Sequence, residues 1–266
     1  MSVDRAGLLA IDAGNTRTKW ALFNIIGEVL SQGVCANADL ALAEVLPKNT
    51  VCKQAIISNV AGAEIAKVLV EKCLALDLAV IWLKAPSLDC GVKNNYDSPS
   101  QLGADRWASL IAAWSIYQTS CVVVNLGTAV TIDALVSNHN HAEFLGGLIM
   151  PGLTMLQQIL VNGTHDIESG IASTSCYDLS EINSFPTNTT DAVYTGACLA
   201  IVGAIAEMVA RLQIHCEQVI VILSGGDAHS LMPLLGLKFN TDSLKRVFVN
   251  DNLVLQGLYC LERESA

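Results

Sequence analysis

A chain of 266 residues has room for one large domain or two modest ones, and 52% apolar against 15% charged side chains supplies ample material for buried sheet. A formal net charge of −10, with a pI near 4.8, argues against a nucleic-acid footprint and against attraction to an anionic membrane. Any anionic ligand must therefore be held by local donors. Nine cysteines with no Cys-x-x-Cys pair, no histidine at metal-ligand spacing and no signal peptide predict a reducing, cytoplasmic setting and no zinc site.

The first stretch with chemistry is LLAIDAGNTRTKWALF, residues 8–23. Residues 8–11 suit a buried strand, Asp12-Ala13-Gly14-Asn15 reads as a turn, and residues 19–23 resume as a second strand. Gly14 allows close backbone approach, Asn15 and Thr16 offer hydrogen-bond donors, Lys19 offers a cation, and Asp12 is placed to face a metal. An ordinary hairpin with a polar turn fits the same residues. A third strand is expected over 28–35, a helix over 39–46 ended by Pro47, a strand over 54–60, a helix over 63–76 and a strand over 78–83. Residues 84–101, with two prolines and several Asn, Asp and Ser, predict a loop leading into a helix over 103–117. A long ordered loop of this kind tends to be functional.

The pattern then restarts. Residues 121–126 predict a strand, Gly127-Thr128 a turn, and 130–136 and 143–150 two further strands, with a helix whose first turn holds Pro151. The polar stretch 163–188 carries no clear signal, and His165 within it is a candidate neighbour of the substrate. Residues 191–212 read as a long helix with Thr190 as a possible N-cap; its apolar core is interrupted by Glu207 and reads as a packed helix, not a membrane span. Gly196, Ala200, Gly203 and Ala204 share one face and would admit another helix closely, within the subunit or from a second copy. A strand over 219–223, a helix over 228–235, a strand over 246–249 and a helix over 252–262 complete the chain. Both halves thus show three strands followed by alternating helices and strands. That order, with LAIDAGNTRTKWAL in one half and VVVNLGTAVTIDAL in the other, predicts a duplicated domain divided into 1–118 and 119–266. The two turns would face each other across a cleft and present N–H groups and hydroxyls to phosphate. A third turn, Ser224-Gly225-Gly226-Asp227, is a further candidate nucleotide contact.

Several motifs in this order resemble those of type III pantothenate kinases, members of the acetate-kinase, sugar-kinase, heat-shock and actin superfamily. They are Asp12-x-Gly14-Asn15-Thr16, Gly91-Val92-x-Asn94-x-Tyr96-x-x-Pro99, Leu102-Gly103-x-Asp105-Arg106-Trp107, Gly127-Thr128-Ala129-x-Thr131-x-Asp133 and Gly146-Gly147-x-Ile149-x-Pro151-Gly152, with Thr189 before Gly196. The resemblance spans nearly the whole chain. It implies an α/β fold of two ribonuclease-H-like halves in an actin-like duplication, and transfer of the ATP γ-phosphoryl group to pantothenate, the first step of coenzyme A synthesis. It also implies a homodimer. On this chain, Asp12, Gly14, Asn15, Thr16 and Lys19 would hold the ATP phosphates and a magnesium ion, with Thr128 contacting phosphate from the second half. Tyr96, Gly103, Ala104, Asp105 and Arg106 would bind pantothenate, Asp105 would be the general base, and Thr189 would reach the substrate from the partner subunit. The family often carries aspartate where this chain has Asn125, at a turn resembling a site for potassium or ammonium; the amide keeps an oxygen ligand and loses the charge.

Each assignment has a structural counterpart. An Asp-Arg pair at a helix start is often a capping carboxylate and a solvated cation, Tyr96 could anchor a loop, Asp133 could end a strand network, and Trp107 and Trp114 fit a core. Two other functions also fit this outline: a metabolite- or nucleotide-binding regulator that has lost turnover, and a kinase of another small alcohol.

Overall fold

The computed structural model describes residues 6–43, 52–163, 185–238 and 246–265. They form two compact units, Met1–Gln118 with Asn252–Ala266, and Thr119–Asp251.

Unit 1 is built on a five-stranded sheet in the order β3-β2-β1-β4-β5. Strands β1 (Ala6–Ala13), β2 (Arg17–Asn24) and β3 (Val29–Ala36) form an antiparallel meander, and β4 (Gln54–Asn59) and β5 (Ala79–Trp82) add in parallel beside β1. Because side chains alternate along a strand, β1 serves two layers. Leu9, Ile11 and Ala13, with Trp20, Leu22, Ala55 and Ile57, pack on Leu69 and Cys73 of helix α1 (Ala63–Ala75). The alternate residues Leu8, Ala10 and Asp12 belong to the other face, where α2 (Ala104–Tyr117) meets β4 and the final helix α6 (Leu253–Ser265) meets β1, β2 and β4.

Helix α6 corrects the expected division of the chain: residues 252–266 pack in unit 1, not in the second half. Its ring of Tyr259 lies 4.9 Å from that of Phe23, and Leu255, Leu258 and Leu261 are buried. It crosses α2 so closely that a Cβ on Gly257 would lie 1.8 Å from the Ala108 carbonyl oxygen. Two local expectations also change. The helix predicted over 39–46 is a short 3-10 turn, Asn37–Asp39, continued by backbone bonds to Ala43, while residues 44–51, Pro47 included, lie outside the described residues. The predicted loop 84–101 holds a small hairpin, β6 (Leu88–Asp89) and β7 (Val92–Asn94), and a 3-10 turn at Pro99–Gln101.

Unit 2 repeats the plan. Its strands β8 (Cys121–Leu126), β9 (Ala129–Asn138), β10 (His141–Pro151), β11 (Ile220–Ser224) and β12 (Val247–Val249) lie in the order β10-β9-β8-β11-β12, an antiparallel meander extended by two parallel strands. The duplication read from the sequence is therefore present strand for strand. Helices α3 (Leu153–Gly163), α4 (Thr189–Leu212) and α5 (Ala228–Lys238) complete the unit. Helix α4 is long and apolar enough to cross a membrane, and it packs Cys198, Ile201, Val202 and Ile205 against Val122, Val124 and Ile132 of the sheet. Its N-cap is Asn188, whose side-chain oxygen accepts from the Asp191 N–H at 2.9 Å, not Thr190. Pro151 ends β10 and does not open α3. Of the stretch 163–188, residues 164–184, including His165, lie outside the described residues.

The α2–α6 crossing yields a stability prediction. Gly257→Ala should destabilise the protein by about 1–3 kcal/mol through overpacking against the Ala108 backbone, read as a lower denaturation midpoint in urea.

Candidate active site

The site in unit 1 begins where β1 and β4 end, the edge at which open α/β sheets expose their ligand-binding groups. The structure corrects the expected turn: Asp12 lies within β1, and the tip is only Gly14-Asn15-Thr16, closed by the Gly14 N–H donating to the Arg17 carbonyl at 3.1 Å. Asn15 and Thr16 are exposed at that tip. A residue the sequence reading missed holds it in shape. Asn37 donates from Nδ2 to the carbonyls of Gly14 and Asn15 at 2.8 and 3.1 Å, and its Oδ1 accepts from Thr18 Oγ1 at 2.8 Å. The only sequence signal for Asn37 was an amide just after a strand.

Cross-strand pairing aligns three polar residues. Lys19 on β2 and Ser58 on β4 are the register partners of Asp12, so the three form a row on one face of the sheet. Asp12 Oδ1 and Ser58 Oγ are buried and have no hydrogen-bond partner. The Asp12 pKa is pushed up to about 7, chiefly by burial and then by the charge of Asp105, with Lys19 and Ser58 acting in the opposite direction. Asp12 and Asp105 thus lie near enough to repel. A buried carboxylate oxygen without a protein partner, near a second carboxylate, fits a hard cation such as magnesium. Among the described residues there is no cluster of three His, Cys, Asp or Glu, so such an ion would take its remaining ligands from phosphate and water.

Asp105 stands in the first turn of α2, and its Oδ1 accepts from the Arg106 N–H at 2.9 Å. Burial raises its pKa, while that hydrogen bond and the Arg106 charge oppose the rise. Arg106 is only 4% exposed. Its Nη1 donates to the Tyr96 hydroxyl at 2.9 Å, and its guanidinium carbon lies 5.6 Å from the centre of the Tyr96 ring. Asn94 orders this loop: its Nδ2 donates to the carbonyls of Pro86 and Pro99, both at 3.2 Å, and its Oδ1 accepts from the Tyr96 N–H at 3.1 Å. The structure therefore brings Tyr96, Asp105 and Arg106 together and relates them to Asp12. Trp107 and Trp114 are core residues, as expected.

In unit 2, Asn125 lies near the end of β8, between Thr131 and Ser224 in register, with Nδ2 3.5 Å from Thr131 Oγ1. The following Gly127-Thr128 turn is exposed, and the Gly152 N–H donates to the Thr128 carbonyl at 2.9 Å. The Ser224–Asp227 turn sits against it. Gly225 has φ of +100°, and a Cβ there would lie 2.2 Å from the Leu126 carbonyl oxygen, so only glycine fits. The Ser224–Asp227 turn thus packs on Leu126, the residue just before the Gly127-Thr128 turn. Thr189 is exposed at the first position of α4.

A family model described as type III pantothenate kinase matches residues 8–211. A type III pantothenate kinase of Methylobacillus flagellatus is 42% identical over 262 residues, covering 96% of this chain and 98% of its own. The chain belongs to the type III pantothenate kinase family. A relative of the same name from Nitrosospira multiformis is 41% identical over 97% of this chain and 92% of its own. Among solved structures, a Baf-family protein of Campylobacter jejuni superposes with a TM-score of 0.60 at 20% identity, over 97% of this chain and 98% of that one. The ethanolamine utilization protein EutJ of Carboxydothermus hydrogenoformans gives 0.53 at 13% identity, over 95% and 89%. These likenesses concern the fold, a two-domain actin-like α/β architecture, which type III pantothenate kinases such as this chain share with sugar kinases.

The raised pKa of Asp12 carries a sign. Between its ordinary 3.8 and about 7 the native state holds a proton that the unfolded chain releases, so this group's contribution to stability falls as pH rises through that window. Asp12→Asn should therefore stabilise the metal-free protein at pH 8 and change it little at pH 4, measured by urea denaturation at both values.

Proposed function

We propose that this protein transfers the γ-phosphoryl group of ATP to the primary hydroxyl of pantothenate, giving 4′-phosphopantothenate in the first step of coenzyme A synthesis, with Asp105 as general base. The observation that carries the residue assignment is that Asp105, at the start of α2, is near enough to raise the pKa of the buried Asp12 by its charge, beside the Tyr96–Arg106 contact.

Phosphoryl transfer asks for positioned groups and neutralised charge more than for covalent catalysis. The Gly14-Asn15-Thr16 tip and Lys19 hold the phosphates of ATP. Asp12 holds magnesium, which when bound offsets charge on the transferring phosphoryl oxygens. The pantothenate carboxylate is met by Arg106, whose guanidinium orientation is fixed by the Tyr96 hydroxyl, and by the start of α2 at Gly103 and Ala104. Asp105 takes the proton of the attacking hydroxyl. Its partial burial favours that role, since a carboxylate whose pKa is raised is a stronger base.

Asn125 sits in the place of a monovalent-cation carboxylate, so dependence on potassium or ammonium is weak. The protein works as a homodimer in which Thr189 of the partner subunit completes the pantothenate site. This reading is supported by apolar surface on unit 2: Ile149, Ile159 and Leu199 are 65%, 53% and 54% exposed, and Cβ atoms at Gly196 and Gly203 would meet nothing. The free state of every described cysteine fits a reducing cytoplasm.

Pantothenate-dependent release of ADP in a coupled assay tests the reading. Asp105→Asn should lower kcat by about 10²–10⁴-fold with the fold retained, and folded wild-type protein that releases no ADP would refute the assignment. A potassium titration of the same assay should give little activation, and Asn125→Asp should restore it.

A further inference from the structure

Ser58 has no role in the chemistry described so far, and its setting is unusual for a serine. It is fully buried in β4, in register with Asp12 on β1. Its neighbours in the strand, Ile57 and Ile56, are apolar core residues, and the same strand contributes Ala55 to the core. Its Oγ has no partner of good hydrogen-bond geometry, and it lies close enough to the Asp12 carboxylate to lower that group's pKa. Buried hydroxyls in folded proteins are nearly always paired, and an alanine would fill the same space without an unsatisfied group. The only other orphaned oxygen among the described buried side chains is Asp12 Oδ1, on the adjacent strand and the same face. Two buried oxygens, one an acceptor and one able both to donate and to accept, therefore lie side by side where the sheet opens onto the site.

We propose that Ser58 is a positioning residue for the magnesium–nucleotide complex: Ser58 Oγ and Asp12 Oδ1 together hold one water molecule of the metal's coordination shell. A water that donates one hydrogen to each oxygen keeps its lone pairs for the metal. Magnesium retains several waters when it binds proteins and meets few protein carboxylates, so fixing a water is an effective way for the chain to fix the ion. The inference rests on the assignment of Asp12 to magnesium. It assigns Ser58 no contact with pantothenate and no part in proton transfer. It also accounts for a buried hydroxyl that has no well-formed hydrogen bond in the free protein and gains one in the complex.

The test uses manganese as a paramagnetic stand-in for magnesium. Its binding to the protein in the presence of ADP, without pantothenate, is followed by electron paramagnetic resonance for the wild type, Ser58→Ala, Ser58→Cys and Asp12→Asn. ADP affinity in EDTA and thermal midpoints are measured beside it. Ser58→Ala and the near-isosteric Ser58→Cys should each weaken manganese binding about 10-fold, the lower end of the range for groups that support a metal through its ligands. ADP binding in EDTA should stay unchanged, and the thermal midpoint of Ser58→Ala should be equal to or above that of the wild type. Manganese binding weakened by Asp12→Asn and unaltered by either Ser58 variant would overturn the role of Ser58 and leave Asp12 with magnesium. Unaltered binding in all three variants would overturn both. A thermal midpoint lowered by several degrees in Ser58→Ala would show the hydroxyl to be structural and would also overturn the proposal.

Discussion

Burial of the Asp12 carboxylate beside a second acidic group, Asp105, is the constraint on which unit 1 depends. Left to itself, such a pair would move apart or take up a proton; the Asp12 pKa is raised by burial and by the charge of Asp105, and that of Asp105 by burial. The fold resists it by holding each carboxylate on a different rigid element. Asp12 is fixed in the centre of the sheet by pairing on both sides, and Asp105 is fixed in the first turn of α2. Helix α2 cannot withdraw, because α6 lies against it with Gly257 at the Ala108 backbone. The strain is concentrated where a cation would relieve it, and tight helix packing far from the chemistry keeps it there.

The same logic explains the buried arginine. Arg106 follows Asp105 directly, and its charge partly offsets the burial of its neighbour. The Tyr96 hydroxyl and ring then give the guanidinium a polar contact and a face to lie on, so a nearly inaccessible cation is not left unsatisfied. Asn94 in turn ties the Tyr96 loop to Pro86 and Pro99. Four residues of two neighbouring motifs thereby act as a single braced unit. In unit 2 the bracing is done by backbone, with the Gly225 turn pressed on Leu126.

Much of this was legible in the chain. Alternating and continuous apolar runs marked ten of the strands, and the repeated order of strands revealed the duplication, because both are properties of neighbouring residues. The site residues stood out as polar groups interrupting apolar runs. What could not be read depends on contacts between distant residues. Asp12 looked like a turn residue because its pairing with Lys19 and Ser58 is visible only once three strands are aligned. Asn37 and Ser58 carry no motif of their own. The cap of α4 fell to Asn188 in place of Thr190 because the helix begins at Thr189, two residues earlier than the apolar pattern. The small hairpin at β6 and β7 was hidden by its brevity, two and three residues, in a stretch dominated by prolines and polar side chains.

Helix α6 also has a bearing on how the chain is made. The element that clamps α2 and covers the β1 face comes after all of unit 2 in the sequence, whereas unit 2 is one continuous segment, Thr119–Asp251. On a ribosome, unit 2 can complete its core while the carboxylate-bearing unit still lacks its closing helix. The strained acidic pair is therefore assembled last. Until then the nascent first unit lacks Leu255, Leu258 and Leu261, whose buried side chains belong to the helix that covers its sheet.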